Sequence, residues 1–481
     1  MQKKFYSSVG LIVLLNLLVK PFYLFGIDAQ IQNQVGAAEY GMYFSLLNFS
    51  FLFNMLLDFG ITNYNTKNIA EHPAIVQRYI GSIIGVKIVL GLLYAAVTLG
   101  AALIWGYNDI QMGILGALVL NQFLAGLILY FRSNFSGLHL FKVDAVLSVL
   151  DRILLIAICL VLLYGGLTER AFRIEWFVFA QTAAYGTTVL VGFVLSVWKI
   201  GFSGIKIKRL YSIVMLKKST PFALLILLMM LYTRIDAVML ERLLPDGKFQ
   251  AGIYAQGFRL LDAANIFGLL IAGILLPMFA RLIKLKEEIG KLVKSATALL
   301  IGISLLVAIA SSFFANDLLG LIYSHQVAET TIVFPWIIMS FVPICAAYVF
   351  GTLLTASGQL RLLNRIALSG IGINVVLNLL LIPTYKAEGA AIATCITQVL
   401  AGLGQVLLAA RLFRLKWNIS LISRLIVFVI ALTGLGLGNH FFLELRGILA
   451  FILFALVGTS LLFLMRIVHV REIVHMMKEK I

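Results

Sequence analysis

Long apolar runs separated by short polar breaks recur from one end of the chain to the other. A helix needs about 20 mostly apolar residues to cross a bilayer. Runs of that kind fall at roughly 8–29, 40–62, 79–105, 111–131, 145–165, 174–198, 219–244, 252–280, 293–315, 329–355, 362–383, 388–410, 421–441 and 445–467. The pattern predicts an all-α polytopic membrane protein with about fourteen transmembrane helices. Lys3 and Lys4 followed by the apolar Val9–Val19, with no small-x-small cleavage site after it, predict an uncleaved first span.

Composition agrees and narrows the class. Hydrophobic residues make up 61% of the 481 residues, charged ones 12%, and mean hydropathy is +1.02, whereas soluble domains are about 45–50% apolar and about 25% charged. The net charge of +17 sits mostly in short connections. It reads as orientation by the positive-inside rule and attraction to anionic headgroups rather than as nucleic-acid binding. With both termini cytoplasmic, the outer segments carry only Arg170, Arg173, Arg242, Lys248, Lys386 and Arg446, and Lys20, Lys87, Arg234 and Arg259 lie within spans. The remaining Lys and Arg residues, including Arg132, Lys142 and Arg152, are assigned to inner segments. A count wrong by one helix would scramble that alternation.

Cys159, Cys345 and Cys395 all fall in apolar runs and give neither a disulfide framework nor a metal site. No histidine has a partner at metal spacing, and no Walker loop, Gly-x-Ser-x-Gly or Cys-x-x-Cys occurs. No cofactor is expected. Transport through such a chain would draw on an ion gradient, the membrane potential or the substrate's own gradient.

Two echoes suggest an internal repeat. Glu39-Tyr-Gly-Met-Tyr43 resembles Gln250-Ala-Gly-Ile-Tyr254, and Ser136-Gly-Leu-His139 resembles Ser357-Gly-Gln-Leu360. Both pairs lie six spans apart, so equivalent spans run in the same direction. The expected organisation is an N-lobe at 1–198, a basic amphipathic linker at 199–218 on the inner surface, a C-lobe at 219–415, and two added spans with a tail at 416–481. Transporters built from parallel repeats place the substrate path between the halves.

The candidate chemistry lies in charges carried by these spans. A charge at the bilayer centre costs roughly 2.5–3.5 kcal/mol on insertion scales, so it needs a wet cavity, a partner or a substrate. The candidate substrate-binding residues are Lys20, Arg234, Arg259, Asp236, Asp58 and Lys87. Lys87 is near enough to the inner end of its span to snorkel. Arg259 and Asp262, three apart, are placed to pair, and Asp58 precedes Phe59-Gly60 near a helix end. Lys20, one turn after Asn16 and next to Pro21, and Arg234, at mid-span, have no opposite charge within one turn, because Asp236 points 200° away. Cations from both halves around a chamber suit an anionic substrate, and arginine in particular grips phosphate oxygens in pairs.

Val35-Gly-Ala-Ala-Glu-Tyr-Gly-Met-Tyr43, Leu57-Asp-Phe-Gly-Ile61, Tyr232-Thr-Arg-Ile-Asp236, Gly252-Ile-Tyr254 with Arg259-Leu-Leu261, and Lys386-Ala-Glu-Gly-Ala-Ala-Ile-Ala-Thr394 resemble motifs of the polysaccharide-export (O-antigen flippase) family. That family belongs to the multidrug/oligosaccharidyl-lipid/polysaccharide flippase superfamily. The resemblance implies two six-helix lobes and translocation of polyprenyl-diphosphate-linked oligosaccharide from the inner to the outer leaflet of the cytoplasmic membrane, with no enzymatic step. It also implies neighbours in polysaccharide synthesis, a polymerase and glycosyltransferases. Many relatives carry a basic residue before the Leu-Gly of the first loop. This chain has Asn33-Gln34-Val35-Gly36 there, so a cation at that corner is not expected. A drug/cation antiporter of the same superfamily should show deep acidic residues, whereas the deep charges here are mostly basic. A membrane polymerase or ligase would need a sizeable outer loop.

Overall fold

Two long helices are broken by a single non-helical residue, a glycine in one and a lysine in the other. The computed structural model describes residues 15–16, 18–71, 75–165, 172–201, 204, 209–415, 418–443 and 445–468. The helices are α1 Ala29–Leu52, α2 Met55–Asp58, α3 Ile61–Glu71, α4 Ile75–Ile104, α5 Asp109–Gly137, α6 Phe141–Tyr164, α7 Ile174–Ile200 and α8 Arg209–Leu243. They continue with α9 Gly247–Leu285, α10 Gly290–Phe313, α11 Ala315–Ile322, α12 Val327–Met339, α13 Phe341–Ala356, α14 Leu360–Phe413, α15 Ile419–Gly438 and α16 Gly447–Leu464. No strand occurs among the described residues.

Each of the fourteen apolar runs is mostly helical over its described residues, the second being interrupted by turns at 53–54 and 59–60. Among the described residues, ten helices are long and apolar enough to cross a membrane. The protein is an all-α, multi-pass membrane protein.

The first reversal lies inside α1, where Gly36 adopts φ 81° and ψ 166°. A side chain there would be strained by the backbone alone, and that break turns the first predicted span back into the second. The other lies inside α14 at Lys386, with φ 52° and ψ −129°, and separates the eleventh span from the twelfth. A non-glycine residue in that region costs on the order of 1–3 kcal/mol. Local contacts hold it: Lys386 Nζ lies 3.0 Å from Asp246 Oδ2, Gln250 donates to the same carboxylate at 2.9 Å, and the Ala387 N–H donates to Gln250 Oε1 at 3.4 Å. The Gln250 amide, and after it Lys386, hold the Asp246 carboxyl below its ordinary value. A depressed carboxyl contributes its stabilisation above the unfolded value of about 3.9 and loses it only as pH falls through the lower folded value. The clamp is therefore intact at neutral pH.

Gly389 follows that reversal. A Cβ there would sit 2.4 Å from the Leu381 carbonyl oxygen and 2.6 Å from its carbon, backbone atoms that cannot swing away. Gly389→Ala is expected to destabilise the protein by about 1–3 kcal/mol, the usual range for overpacking, read as a lowered melting temperature of the purified protein.

The chain divides into two compact units, Met1–Glu241 and Arg242–Ile481. In the first, α5 is the hub, packed on α1, α3, α4, α6 and α7, with Ile80, Ile83, Leu127, Tyr130, Phe131 and Phe135 forming much of the core. A capping box opens α5: the Asn108 side chain accepts from the Gln111 N–H, and Gln111 Oε1 accepts from the Asn108 N–H. In the second unit, α13 packs on α9, α10 and α14. The last two helices bury Phe428, Leu432 and Phe454 against Ile309 and Phe314.

Around the predicted linker at 199–218, α7 runs to Ile200 and helical backbone resumes at Arg209. Residues 202–203 and 205–208 lie outside the described residues, as do Lys3, Lys4 and the tail from 469.

The first echo recurs in contacts. Gln181 donates to the Tyr43 hydroxyl at 2.8 Å, and Tyr254 shares a hydrogen bond with Thr394 at 3.2 Å, so each tyrosine meets the sixth predicted span of its own half. The second echo is out of register. Helix α5 ends with Leu140 N–H donating to Phe135 O and His139 left-handed, and α13 ends with Gln359 N–H donating to Leu354 O and Gly358 left-handed. Backbone geometry therefore pairs Ser136 with Thr355 rather than Ser357. The shared Ser-Gly letters misled because a left-handed cap accepts histidine in one copy and glycine in the other.

Candidate functional site

Most of the intramembrane charges are in the first unit. Pro21 removes a backbone donor from the first span, and the helix widens into a π-helical stretch at Tyr23–Asp28, a form that often marks functional positions. Asp28, 1% exposed, accepts from the Tyr40 hydroxyl at 2.5 Å and from Tyr23 at 3.4 Å.

One face of this first span opposes one face of α6. Asn16 Nδ2 donates to Ser148 Oγ at 3.1 Å. Further along, the Arg152 guanidinium lies over the Tyr23 ring at 4.7 Å and over Tyr185 of α7 at 5.7 Å. Lys20 sits between these two contacts, within electrostatic reach of Arg152, Arg132 and Asp151. Arg132 is taken up by Asp144 at 2.7 Å. Asp151 Oδ2 lies 3.6 Å from Arg152 Nε. Among the described residues, the Lys20 ammonium makes no hydrogen bond or ion pair. Arg152 was expected in an inner segment; it lies instead about 16 Å along α6 by helical rise, facing tyrosines. Sequence reading missed it, and the available signal was the Asp151-Arg152 pair standing inside an otherwise apolar run.

Lys87 and Asp58 come together. They form an ion pair, and Lys87, 2% exposed on its side chain, also donates to the Leu57 carbonyl at 3.2 Å. Asp58 additionally accepts from Thr62 Oγ1 at 2.5 Å and from the Thr62 N–H at 3.2 Å, satisfying a donor in the first turn of α3. The snorkelling expected of Lys87 is overturned: the ammonium turns inward because a carboxylate 29 residues away in the chain receives it.

Arg234 of α8 lies over the Phe51 ring at 5.4 Å, and Asp236 is 1% exposed. At the end of α8, Glu241 accepts from Ser45 Oγ at 2.7 Å and from Gln111 Nε2 at 2.5 Å; sequence reading had not singled it out. In the second unit, Arg259 and Asp262 approach to 3.7 Å, as their spacing suggested. Exchanging the two charges, R259D with D262R, is expected to restore the abundance lost in either single variant. Failure of the exchange to restore it would mean that other contacts of these residues decide their effect.

The described residues hold no group of three or more His, Cys, Asp or Glu placed to bind a metal. The arrangement is one of cations on helix faces, some neutralised and some not. Residues 7–283, more than half of the chain, match the model of the family described as "Polysaccharide biosynthesis protein". The chain belongs to that family.

Within it, the chain is 29% identical over 187 residues to the capsular polysaccharide biosynthesis protein CapF of Staphylococcus aureus. The match covers 38% of this chain and 46% of CapF, so it spans less than half of that relative. The fold extends the likeness. A lipid II flippase, MurJ, in an inward closed conformation superposes with a TM-score of 0.68 at 12% identity, covering 98% of this chain and 99% of MurJ. The MATE transporter VcmN of Vibrio cholerae, in its bent form, gives 0.56 at 15% identity over 86% of this chain and 97% of VcmN. A MOP superfamily transporter from Pyrococcus furiosus gives 0.59 at 14% identity over 86% and 96%. At these identities the likeness establishes the fold, which this family member shares with MurJ and the MATE transporters.

Proposed function

We propose that this polysaccharide biosynthesis protein is a flippase that moves polyprenyl-diphosphate-linked oligosaccharide from the inner to the outer leaflet of the cytoplasmic membrane. It does so by alternating access, with fourteen spans, both termini cytoplasmic, and lobes at 1–198 and 219–415 followed by the two added spans. The observation that carries the reading is Lys20, an ammonium inside a membrane span with no acidic partner among the described residues. A charge so placed costs too much to be kept without a ligand or water, and an anionic headgroup supplies its counter-ion. Family membership supports a glycan-linked substrate, and CapF is named for capsular polysaccharide synthesis.

In this reading Lys20 and Arg234 contact the substrate. The Lys87–Asp58 pair ties α4 to the end of α2, and Arg259 and Asp262 neutralise each other along α9. The chain carries no bond-making step of its own, and glycosyltransferases and a polymerase act before and after it.

The test is transport by the purified chain in proteoliposomes, with a fluorescent short-chain polyprenyl-diphosphate saccharide scored for leaflet by quencher access. Movement of the diphosphate-linked saccharide is the expected result. Export of a cationic dye against a proton or sodium gradient, with the saccharide immobile, would establish the antiporter reading instead.

A further inference from the structure

Building on the flippase reading, we propose that Arg152 and Lys20 together form the diphosphate seat of the first unit, with Arg152 the residue that selects diphosphate over monophosphate. The argument is geometric. Asn16 and Lys20 are four residues apart on the first span, and Ser148 and Arg152 are four apart on α6, so each pair shares a helix face. The Asn16–Ser148 hydrogen bond of 3.1 Å and the Arg152–Tyr23 stack at 4.7 Å fasten those two faces below and above Lys20. Lys20 is thereby held beside Arg152, and each ion feels the charge of the other. Two like charges on adjoining helices repel each other, and Asp151 offsets that only in part. An anion placed between them turns that repulsion into two attractions.

Arg152 is also prepared for such a ligand. Tyr23 and Tyr185 engage its guanidinium by cation–π contact, which fixes the plane of the fork. Asp151 approaches only its Nε edge, at 3.6 Å. Its terminal nitrogens make no hydrogen bond among the described residues and remain the pair that matches two phosphate oxygens. The side chain is 28% exposed, so a ligand can reach it. One ammonium is enough for a single phosphate; a second, forked cation one helix away matches a second phosphate.

The experiment uses the full chain purified into nanodiscs of phosphatidylcholine, with farnesyl diphosphate, farnesyl monophosphate and farnesol as probes. Arg152→Gln is expected to weaken farnesyl diphosphate at least tenfold while changing farnesyl monophosphate by less than threefold and leaving farnesol unchanged. Arg152→Lys is expected to fall between wild type and Arg152→Gln. Equal diphosphate affinity in Arg152→Gln and wild type overturns the proposal, as does an equal loss for all three probes. A second measurement needs no variant: phenylglyoxal modification of Arg152 in the wild-type protein, read by mass spectrometry. Protection by farnesyl diphosphate is expected, with weaker protection by farnesyl monophosphate. No protection overturns the seat. Equal protection by nanodiscs containing phosphatidylglycerol alone would reassign it to phospholipid headgroups and overturn the diphosphate claim. Binding is scored separately from flipping. Arg152-dependent binding without transport would sink the flippase reading and keep the seat, and transport with Arg152-independent binding would do the reverse.

Discussion

In a strain lacking its own flippase, Lys20→Ala and Arg234→Ala are each expected to leave surface glycan at the level of the empty vector. Membrane abundance of Lys20→Ala should stay within about twofold of wild type, since a substitution outside the packed core typically changes stability by no more than about 0.5 kcal/mol. Lys20 has no acidic partner among the described residues to leave stranded. Arg234 rests over Phe51 at 5.4 Å, and truncation to Ala removes its apolar stem as well as its charge, so Arg234→Gln, which keeps most of that stem, is the abundance control. A hydrogen bond from a charged group is worth about 1.5–3 kcal/mol, or roughly 10- to 150-fold in affinity. Arg234→Lys keeps the charge but loses the fork and should retain partial export. Wild-type glycan in Lys20→Ala would remove Lys20 from the substrate path and leave its burial without a function.

The largest stability effect belongs to Lys87 and Asp58. Asp58→Asn leaves a 2% exposed ammonium facing only neutral oxygens, the new amide and the Leu57 carbonyl, and Lys87→Met leaves the carboxylate to Thr62 alone. Removing one partner of a buried ion pair costs about 3–5 kcal/mol, a large share of the roughly 5–15 kcal/mol that holds a folded protein together. Each single variant is expected to accumulate poorly and to melt well below wild type. The double variant Asp58→Asn/Lys87→Met should recover most of the loss, because neither charge is then left buried alone. Separately, transport by that double variant decides between a structural and a substrate role: export near wild type fits a pair that serves only the fold. A double variant no more stable than the singles would show that the pair's worth lies in contacts other than the one between its charges.

What was legible in the sequence follows the range over which each signal acts. Hydropathy acts over about twenty residues, and the apolar runs fall mostly on helix. The i,i+3 spacing of Arg259 and Asp262 is a local signal and was read correctly. Lys87 was misjudged because its partner is 29 residues away, on a helix that only the fold brings near. Arg152 was hidden for a related reason: the edges of the fifth run were poorly marked, so the residue was counted with the inner connection. Its tyrosines come from the first span and from α7, and nothing in the local sequence couples them. The Lys386 reversal was equally hard to read, because a lysine in a backbone region that favours glycine gives no compositional warning. Gly36, in contrast, is the residue type that such a reversal requires.

Gln111 gives the experimenter a handle on α8. Its side-chain oxygen closes the capping box at the start of α5, while its nitrogen binds Glu241 at the far end of α8 at 2.5 Å. One amide thus joins two helices, and each end of it has a different duty. Glutamate at this position would preserve the cap oxygen but set two carboxylates against each other, whereas asparagine would be too short to reach Glu241 while capping. Gln111→Glu therefore removes one tie on Glu241 without touching any cation in the spans, leaving that of Ser45 in place, and a probe placed on α8 would report how far that helix travels once loosened.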